Sequence, residues 1–330
     1  MRKQIIGFAL SAALFALCLS AYAQQPGKIP RIGYVSGTGD VSNQGPYVEV
    51  FRQGLRDLGY IEGKNYVIEY RGAEGKPDRI PSLVAELVQL KVDVLVSGNF
   101  AVARAAKHAT ETIPIVMVTN QDPVVTGLVD SLARPGGNIT GLSTLQRELG
   151  GKRLELLGEV VPQISRVGIL WNEDSSGSSR TGFKEYEAAA LALKIQLQSL
   201  AVRGPNPDLE GAFQAAAKGR TSALITVTGT LLFRYPKRIA DLAIKNRLPS
   251  MYEGNTWAEA GGLMSYSTND LEVFRRAAVF VDKILKGTKP AGLPVEQPTK
   301  FDLVINLKTA KQIGLTIPQK VLIRADKVIR

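Results

Sequence analysis

The sequence predicts an α/β protein built from two doubly wound parallel-sheet lobes joined by a hinge. Short apolar runs alternate with amphipathic helical segments along the chain. At 330 residues the chain is also longer than one average core requires, which favours two lobes. The apolar run at 92–96, which ends in Ser97, Gly98 and Asn99, is typical of a strand buried on both faces and followed by a helix.

The first half of the chain predicts five strands and four helices. Val48, Phe51 and Leu55 fall on one face of the first helix, and Gly59 ends it. The predicted strands are 31–35, 66–70, 92–96, 115–118 and 139–142, and the predicted helices are 47–58, 78–90, 99–108 and a short one from Val124 to 132.

The second half repeats the alternation. The predicted strands are 166–171, 195–202, 223–227, 249–252, 262–266 and 301–306, and the helices are 148–160, 180–193, 209–218, 233–246, 271–286 and 307–313. Such alternation implies parallel sheets with right-handed crossovers. Ligands of these sheets bind outside the carboxyl ends of the strands, so two sheets that face one another would form a cleft.

The N-terminus has the features of an export signal. Arg2 and Lys3 precede an apolar run at 5–19, which is short for a membrane span, and Ala21-Tyr22-Ala23 matches a small-residue cleavage site. We therefore expect cleavage after Ala23 and export to the periplasm. Because Cys18 is the only cysteine, the mature chain would have no disulfide, thiolate metal site or cysteine nucleophile.

Composition argues against several other functions. The formal net charge is +11, but lysine and arginine are spread along the whole chain, so no nucleic-acid partner is expected. The single histidine, His108, lies at a helix end, and the chain has neither a G-x-S-x-G motif nor a Cys/His cluster. Gly37-Thr38-Gly39 lacks the third glycine of a dinucleotide site. We expect no enzyme activity, cofactor or metal.

Four segments resemble signatures of one protein family. They are GLRDLGYIEGKN from Gly54, AEGKPDR from Ala73, SLARPGGNITGLS from Ser131 and EAGGLMSY from Glu259. The family is that of ABC transporter substrate-binding proteins with the type 1 periplasmic binding fold, whose relatives include tryptophan-binding lipoproteins. The resemblance covers roughly residues 28–329.

The resemblance implies two lobes joined by three crossing segments, with a small-molecule ligand trapped between them by hinge closure. Carried onto this chain, lobe one would comprise 24–143 and 268–290, and lobe two 144–267 and 291–330. An ABC permease in the inner membrane is the implied partner, and the protein is expected to be a monomer. A ligand-sensing module for a membrane receptor and a periplasmic enzyme remain the alternatives.

The candidate ligand-binding residues lie at or just after the carboxyl ends of strands. They are Ser36, Ser97, Asn99, Phe100, Gln121, Asp122, Asn172, Ser175, Thr228 and Tyr252. The alternative for the polar ones is helix capping, and for the two aromatic ones ordinary burial. Gly229 stands where the family pattern has an aspartate, which puts recognition of a ligand α-amino group in doubt. An amino acid, an aromatic molecule and a carboxylate-bearing molecule all remain possible ligands, and polar strand ends of this kind fit sugars and amides as well.

Overall fold

The computed structural model describes residues 28–144, 149–173, 178–227, 229 and 231–330. The first of its two sheets has the strand order β2-β1-β3-β4-β5, and all of its pairs are parallel. Its strands are β1 (Arg31–Ser36), β2 (Val67–Gly72), β3 (Val94–Ser97), β4 (Ile115–Thr119) and β5 (Ile139–Ser143). Strands β3, β4 and β5 are buried throughout, and for β3 and β4 this agrees with the apolar runs at 92–96 and 115–118.

Helices cover both faces of the first sheet. On one face the core joins α1 (Pro46–Asp57) to α9 (Asp270–Leu285), and on the other it joins α2 (Ile80–Gln89) to α3 (Phe100–Ala109). Apolar side chains recur every three or four residues on each of these helices, which gives each one a buried face. A 3-10 turn, Pro77–Arg79, precedes α2.

In the described part of the chain the second sheet has seven strands, in the order β12-β11-β10-β9-β8-β6-β7. They are β6 (Arg166–Asn172), β7 (Gln196–Val202), β8 (Ala223–Thr226), β9 (Ser250–Tyr252), β10 (Met264–Ser267), β11 (Asp302–Asn306) and β12 (Lys327–Ile329). Strand β11 runs antiparallel to β10, whereas the other pairs are parallel.

The second sheet is also covered on both faces. Its helices are α4 (Gly150–Val160), α5 (Ser178–Ala192), α6 (Leu209–Lys218), α7 (Pro236–Lys245), α8 (Asn255–Glu259), α10 (Leu307–Gln312) and α11 (Gln319–Leu322). One core contains α4, α5 and α10, and the other contains α6, α7 and α8. Short 3-10 helices occur at Leu232–Arg234 and Pro290–Gly292.

Over the described residues the chain passes between the two sheets three times. It leaves β5 for α4, returns from β10 to α9, and leaves again after the 3-10 helix at Pro290–Gly292 to enter β11. Asn269 caps α9 at the second passage by accepting a hydrogen bond from the backbone N–H of Glu272. On the third passage Glu296 pairs with β5, because its N–H donates to Gly141 and its carbonyl accepts from Ser143.

The structure corrects the sequence prediction in three places. Residues 124–132 form turns and no helix, since the backbone N–H groups of Leu128 and Val129 both donate to Pro123 and Gly127 has a positive φ. The short elements α8, α11 and β12 were not predicted. Strand β11 is antiparallel, so the second sheet is not purely parallel. The predicted export signal at 1–23 lies outside the described residues. Within the described part of the chain, no helix is long and apolar enough to cross a bilayer.

Replacing Gly54 with alanine tests the contact between α1 and α9. A Cβ atom on Gly54 would lie 2.5 Å from the carbonyl oxygen of Arg275 and 2.9 Å from Cβ of Ala278. The two helices must separate to admit it, so we expect Gly54→Ala to lower the free energy of unfolding by about 1–3 kcal/mol.

Gly151→Ala on α4 is the matched control, because its new Cβ would meet only Ala189, at 3.6 Å. Removing a glycine from a helix there should leave stability unchanged or raise it by about 0.5–1 kcal/mol. Urea unfolding of both variants makes the comparison, and equal stabilities would contradict tight packing of α1 on α9.

Candidate functional site

A cavity of about 760 Å³ lies between the carboxyl edges of the two sheets. Ser36 at the end of β1 and Asn99 after β3 reach it from the first sheet. Asn172 at the end of β6 and Glu253 directly after β9 reach it from the second. Each is placed there by the same rule, since the side chains that follow parallel strands gather at one edge of a sheet. The cavity therefore occupies the position that the βα alternation predicts for a ligand.

The N-terminus of α3 forms one wall of the cavity. Asn99 caps this helix by accepting a hydrogen bond from the N–H of Val102 at 3.0 Å, and the N–H of Gly98 donates to Val35. A Cβ atom on Gly98 would lie 2.9 Å from the backbone carbonyl oxygen of Val35. The close contact between the two backbones therefore favours glycine at position 98. Arg104, one turn into α3, lies over the ring of Phe100 at 5.6 Å. The helix dipole and the guanidinium together favour an anionic ligand group at this wall.

Aromatic rings line much of the remaining surface. They come from both sheets and are Tyr34, Tyr47, Phe100, Phe233 and Phe274. The rings of Tyr47 and Phe274 stack with centroids 4.6 Å apart. Phe233 lies against the buried Trp257 at 5.8 Å. Such walls suit a flat, partly apolar ligand.

A buried ion pair supports the cavity wall at Glu253. Its Oε1 accepts hydrogen bonds from the hydroxyl of Tyr186 at 2.9 Å and from Arg153 at 3.3 Å. Arg153 has no exposed surface and also donates to the carbonyl oxygen of Tyr266. Breaking one partner of such a pair leaves an uncompensated buried charge, so the pair holds Glu253 in place.

Asp270 brings a second carboxylate to the cavity from the first turn of α9. It accepts a hydrogen bond from the hydroxyl of Thr268, and the helix N-terminus stabilises its charge. Burial raises the pKa of the nearby Tyr47 hydroxyl, and the negative charge of Asp270 raises it further. Tyr47 is therefore a neutral phenol at physiological pH.

Four of the residues predicted from the sequence line the cavity: Ser36, Asn99, Phe100 and Asn172. Ser175 and Thr228 lie outside the described residues. Whether any of the ten contacts a ligand stays a prediction.

The other four predicted residues are not among those that line the cavity. Ser97 is buried and donates to the carbonyl oxygen of Asn99. Gln121 is buried beside Ser143, whose hydroxyl donates to the Gln121 carbonyl. Asp122 accepts from the N–H groups of residues 124 and 125 and so stabilises the turn that follows it, where no helix begins. The ring of Tyr252 is fully buried and stacks on Trp257.

Several cavity residues were not predicted from the sequence. Glu253 follows the predicted strand 249–252 directly, so the same strand-end rule would have found it. Asp270 follows the capping residue Asn269. Its position at the cavity could have been predicted only if the second passage of the chain between the sheets had been known. Tyr47 and Phe274 lie on helices, and no sequence signal separates them from ordinary core aromatics. Among the described residues no group of three or more His, Cys, Asp or Glu side chains is placed to hold a metal ion.

The fold is that of the type 1 periplasmic binding proteins. This class is defined by two parallel-dominated α/β sheets, three passages of the chain between them and a cavity at their facing carboxyl edges. Comparisons with known proteins agree. A sequence profile described as "ABC transporter substrate binding protein" matches residues 43–329. The chain belongs to this family of solute-capturing proteins.

Two solved structures share the fold closely. A conserved domain protein from Vibrio cholerae is 28% identical, with a TM-score of 0.82 over 91% of this chain and 100% of that chain. The ABC domain of a Streptococcus pneumoniae protein in complex with L-Trp is 24% identical, with a TM-score of 0.81 over 91% and 99%. A curated "Tyrosine-binding protein" from Clostridioides difficile (strain R20291) is 25% identical over 80% of this chain and 75% of its own length.

Replacing Arg153 with methionine tests the buried support of the cavity. The change leaves the Glu253 carboxylate buried without its cation, so we expect the free energy of unfolding to fall by about 3–5 kcal/mol. Lys152→Met on the same helix is the matched control. Lys152 pairs with Glu155 at the surface, and losing that pair should cost less than about 1 kcal/mol. Similar losses in the two variants, measured by urea unfolding, would contradict a buried ion pair.

Proposed function

We propose that the protein is the exported component of an ABC importer that captures an aromatic, carboxylate-bearing small molecule and delivers it to a permease in the inner membrane. The ligand lies between the two sheets and is enclosed by hinge closure. The permease partner follows from the family. Export to the periplasm with cleavage after Ala23, action as a monomer and the lobe boundaries 24–143 with 268–290 and 144–267 with 291–330 are part of the proposal.

The cavity itself carries this proposal. Its two sides come from different sheets, so a ligand in contact with both lowers the free energy of the closed arrangement but not of an open one. Five aromatic rings offer flat surfaces to a ring of the ligand, and the N-terminus of α3 with Arg104 offers a place for a carboxylate.

The relatives support the same ligand class. One is named as a tyrosine-binding protein, and another was solved in complex with L-Trp. Both named ligands combine an aromatic ring with a carboxylate. The function needs no chemical change in the ligand, and we propose that the protein is not an enzyme.

A thermal-shift screen of the mature protein tests the ligand class. The panel contains aromatic amino acids, aromatic acids without an amino group, aliphatic amino acids and sugars. A ligand at about 100 times its dissociation constant adds roughly 2.7 kcal/mol of stability, which should raise the melting midpoint by several degrees. We expect this shift from aromatic carboxylates. A shift from sugars or aliphatic amino acids alone, or from nothing in the panel, would contradict the proposal.

Phe100→Leu tests whether an aromatic ligand binds in the cavity. The change keeps an apolar side chain but removes one ring from the wall, and we expect the dissociation constant of any aromatic ligand to rise about three- to tenfold. Phe301→Leu is the control, because Phe301 packs on Tyr266 and does not line the cavity. Calorimetric titration of both variants with the same ligand compares them, and an equal loss in both would place the ligand elsewhere.

A further inference from the structure

The two sides of the cavity, one from each sheet, touch at its rim between Gly75 and Arg234. Gly75 follows β2 of the first sheet and lines the cavity, whereas Arg234 ends the 3-10 helix that follows β8 of the second sheet. A Cβ atom on Gly75 would lie 2.2 Å from Cδ of Arg234 and 3.0 Å from its Cγ. Glycine therefore lets the aliphatic stem of Arg234 lie directly against the backbone of the opposite turn.

The turn that carries Gly75 has a fixed shape. Glu74 and Gly75 both have a positive φ, 55° and 72°. The N–H of Lys76 donates across them to the carbonyl oxygen of Ala73. A turn with two positive φ angles favours glycine at its centre. The N–H of Gly75 also donates to Gly37 at 2.8 Å, which ties the turn to the loop after β1. The turn cannot move away from the opposite side of the cavity without breaking these bonds.

The 3-10 helix on the second side couples Arg234 to the cavity. Its neighbour Phe233 lines the cavity and lies 5.8 Å from the buried ring of Trp257. The guanidinium of Arg234 lies over the ring of Tyr235 at 5.9 Å, and the Tyr235 hydroxyl donates to the carbonyl oxygen of Pro205. The cavity residue Phe233 and the rim residue Arg234 therefore hold consecutive positions on one anchored short helix.

The contact lies at the edge of the first sheet that is farthest from two of the passages. Strand β2 forms one edge of that sheet and β5 the other. The first passage leaves β5 itself, and the third runs beside it at Glu296. A hinge rotation displaces atoms in proportion to their distance from the hinge, so a contact at the β2 edge breaks when the cavity opens. Gly75 and Arg234 therefore touch in the closed arrangement and separate in an open one.

We propose that Arg234 on Gly75 is the closing contact of the two sides, and that Arg234 is a positioning residue that sets how far they close. This inference rests on the hinge closure in the proposed function and holds for any ligand that the closure encloses. A side chain at position 75 would meet the stem of Arg234 and hold the two sides apart. It would thereby lower the population of the arrangement that binds ligand.

A disulfide across the rim tests the contact without a ligand. Cγ of Arg234 lies 3.0 Å from the Cβ position at Gly75 and is bonded to Cβ of Arg234. The two Cβ atoms are therefore within about 4.5 Å of each other, a separation that a disulfide can bridge. The only cysteine, Cys18, lies in the predicted export signal, so the mature chain contributes no thiol of its own. We expect the mature Gly75→Cys/Arg234→Cys variant to form an intramolecular disulfide on mild oxidation.

The matched control is Gly63→Cys/Arg234→Cys. Gly63 also has a positive φ, 81°, but it lies before the amino end of β2, and no atom is within 4 Å of an added Cβ. Alkylation under denaturing conditions followed by mass spectrometry of the monomer counts the free thiols. If the Gly75 pair stays reduced in folded protein whose thiols react, or if both pairs cross-link equally, the closing contact is wrong.

A double-mutant cycle tests whether the contact sets closure. L-Tryptophan and L-tyrosine are titrated calorimetrically into the wild type, Gly75→Ala, Arg234→Ala and the double variant. For an amino acid that binds the wild type, we expect Gly75→Ala to raise the dissociation constant about five- to tenfold, because the added methyl group meets Arg234 on closure. In the Arg234→Ala background the same change should have an effect of less than about twofold.

Gly63→Ala is the control for the cost of a positive φ, and it should change the dissociation constant by less than about twofold. Arg234 is exposed, so Arg234→Ala should leave the fold intact, and the melting midpoints of the ligand-free variants check this.

The outcomes separate this inference from the proposed function. If the effect of Gly75→Ala persists in the Arg234→Ala background, the closing contact is wrong and the proposed function stands. If neither amino acid binds the folded wild-type protein, the aromatic ligand class loses its support, while the disulfide still decides the closing contact.

Discussion

The return of α9 to the first sheet is the constraint on which the two-lobed arrangement depends. Its close contact with α1, where only a glycine at position 54 fits against Arg275 and Ala278, brings the chain back after β10. Because α9 brings the chain back to the first sheet, the chain must cross a third time, at Glu296, to reach β11 in the second sheet. Three segments therefore join the sheets. Their carboxyl edges face each other across the cavity, and α9 also carries Asp270 and Phe274 into it.

The cavity combines three kinds of surface, each produced by a different local feature. The α3 N-terminus offers an electropositive wall, the rings from both sheets offer flat apolar contact, and the Glu253 end offers carboxylates. The ion pair of Arg153 with Glu253 is costly to bury and stabilises the fold less than apolar packing of the same volume. We explain the presence of this ion pair by its effect on Glu253, because Arg153 holds the Glu253 carboxylate in place as a hydrogen-bond acceptor at the cavity wall.

Most of the fold could be predicted from the sequence because apolar runs and helical periodicity are local signals. The strands 92–96 and 115–118 are confirmed within two residues as β3 and β4. The failures lie where local signals are short or ambiguous: Asp122 and Pro123 suit a helix start and a turn equally, and β12 has three residues. The rule that ligands bind at the carboxyl ends of parallel strands correctly predicted Asn99 and Asn172 at the cavity. It does not give the direction of a side chain, and it failed for Tyr252, which packs inward on Trp257. Residues such as Phe274 reach the cavity through tertiary packing alone.

A crystal structure of the mature protein with an aromatic ligand identified by binding tests the central claim most directly. The account predicts the ligand ring between the two sheets, in contact with Phe100 or Phe233, with its carboxylate toward the α3 N-terminus. A ligand bound outside this cavity, or one that contacts a single sheet only, would contradict it.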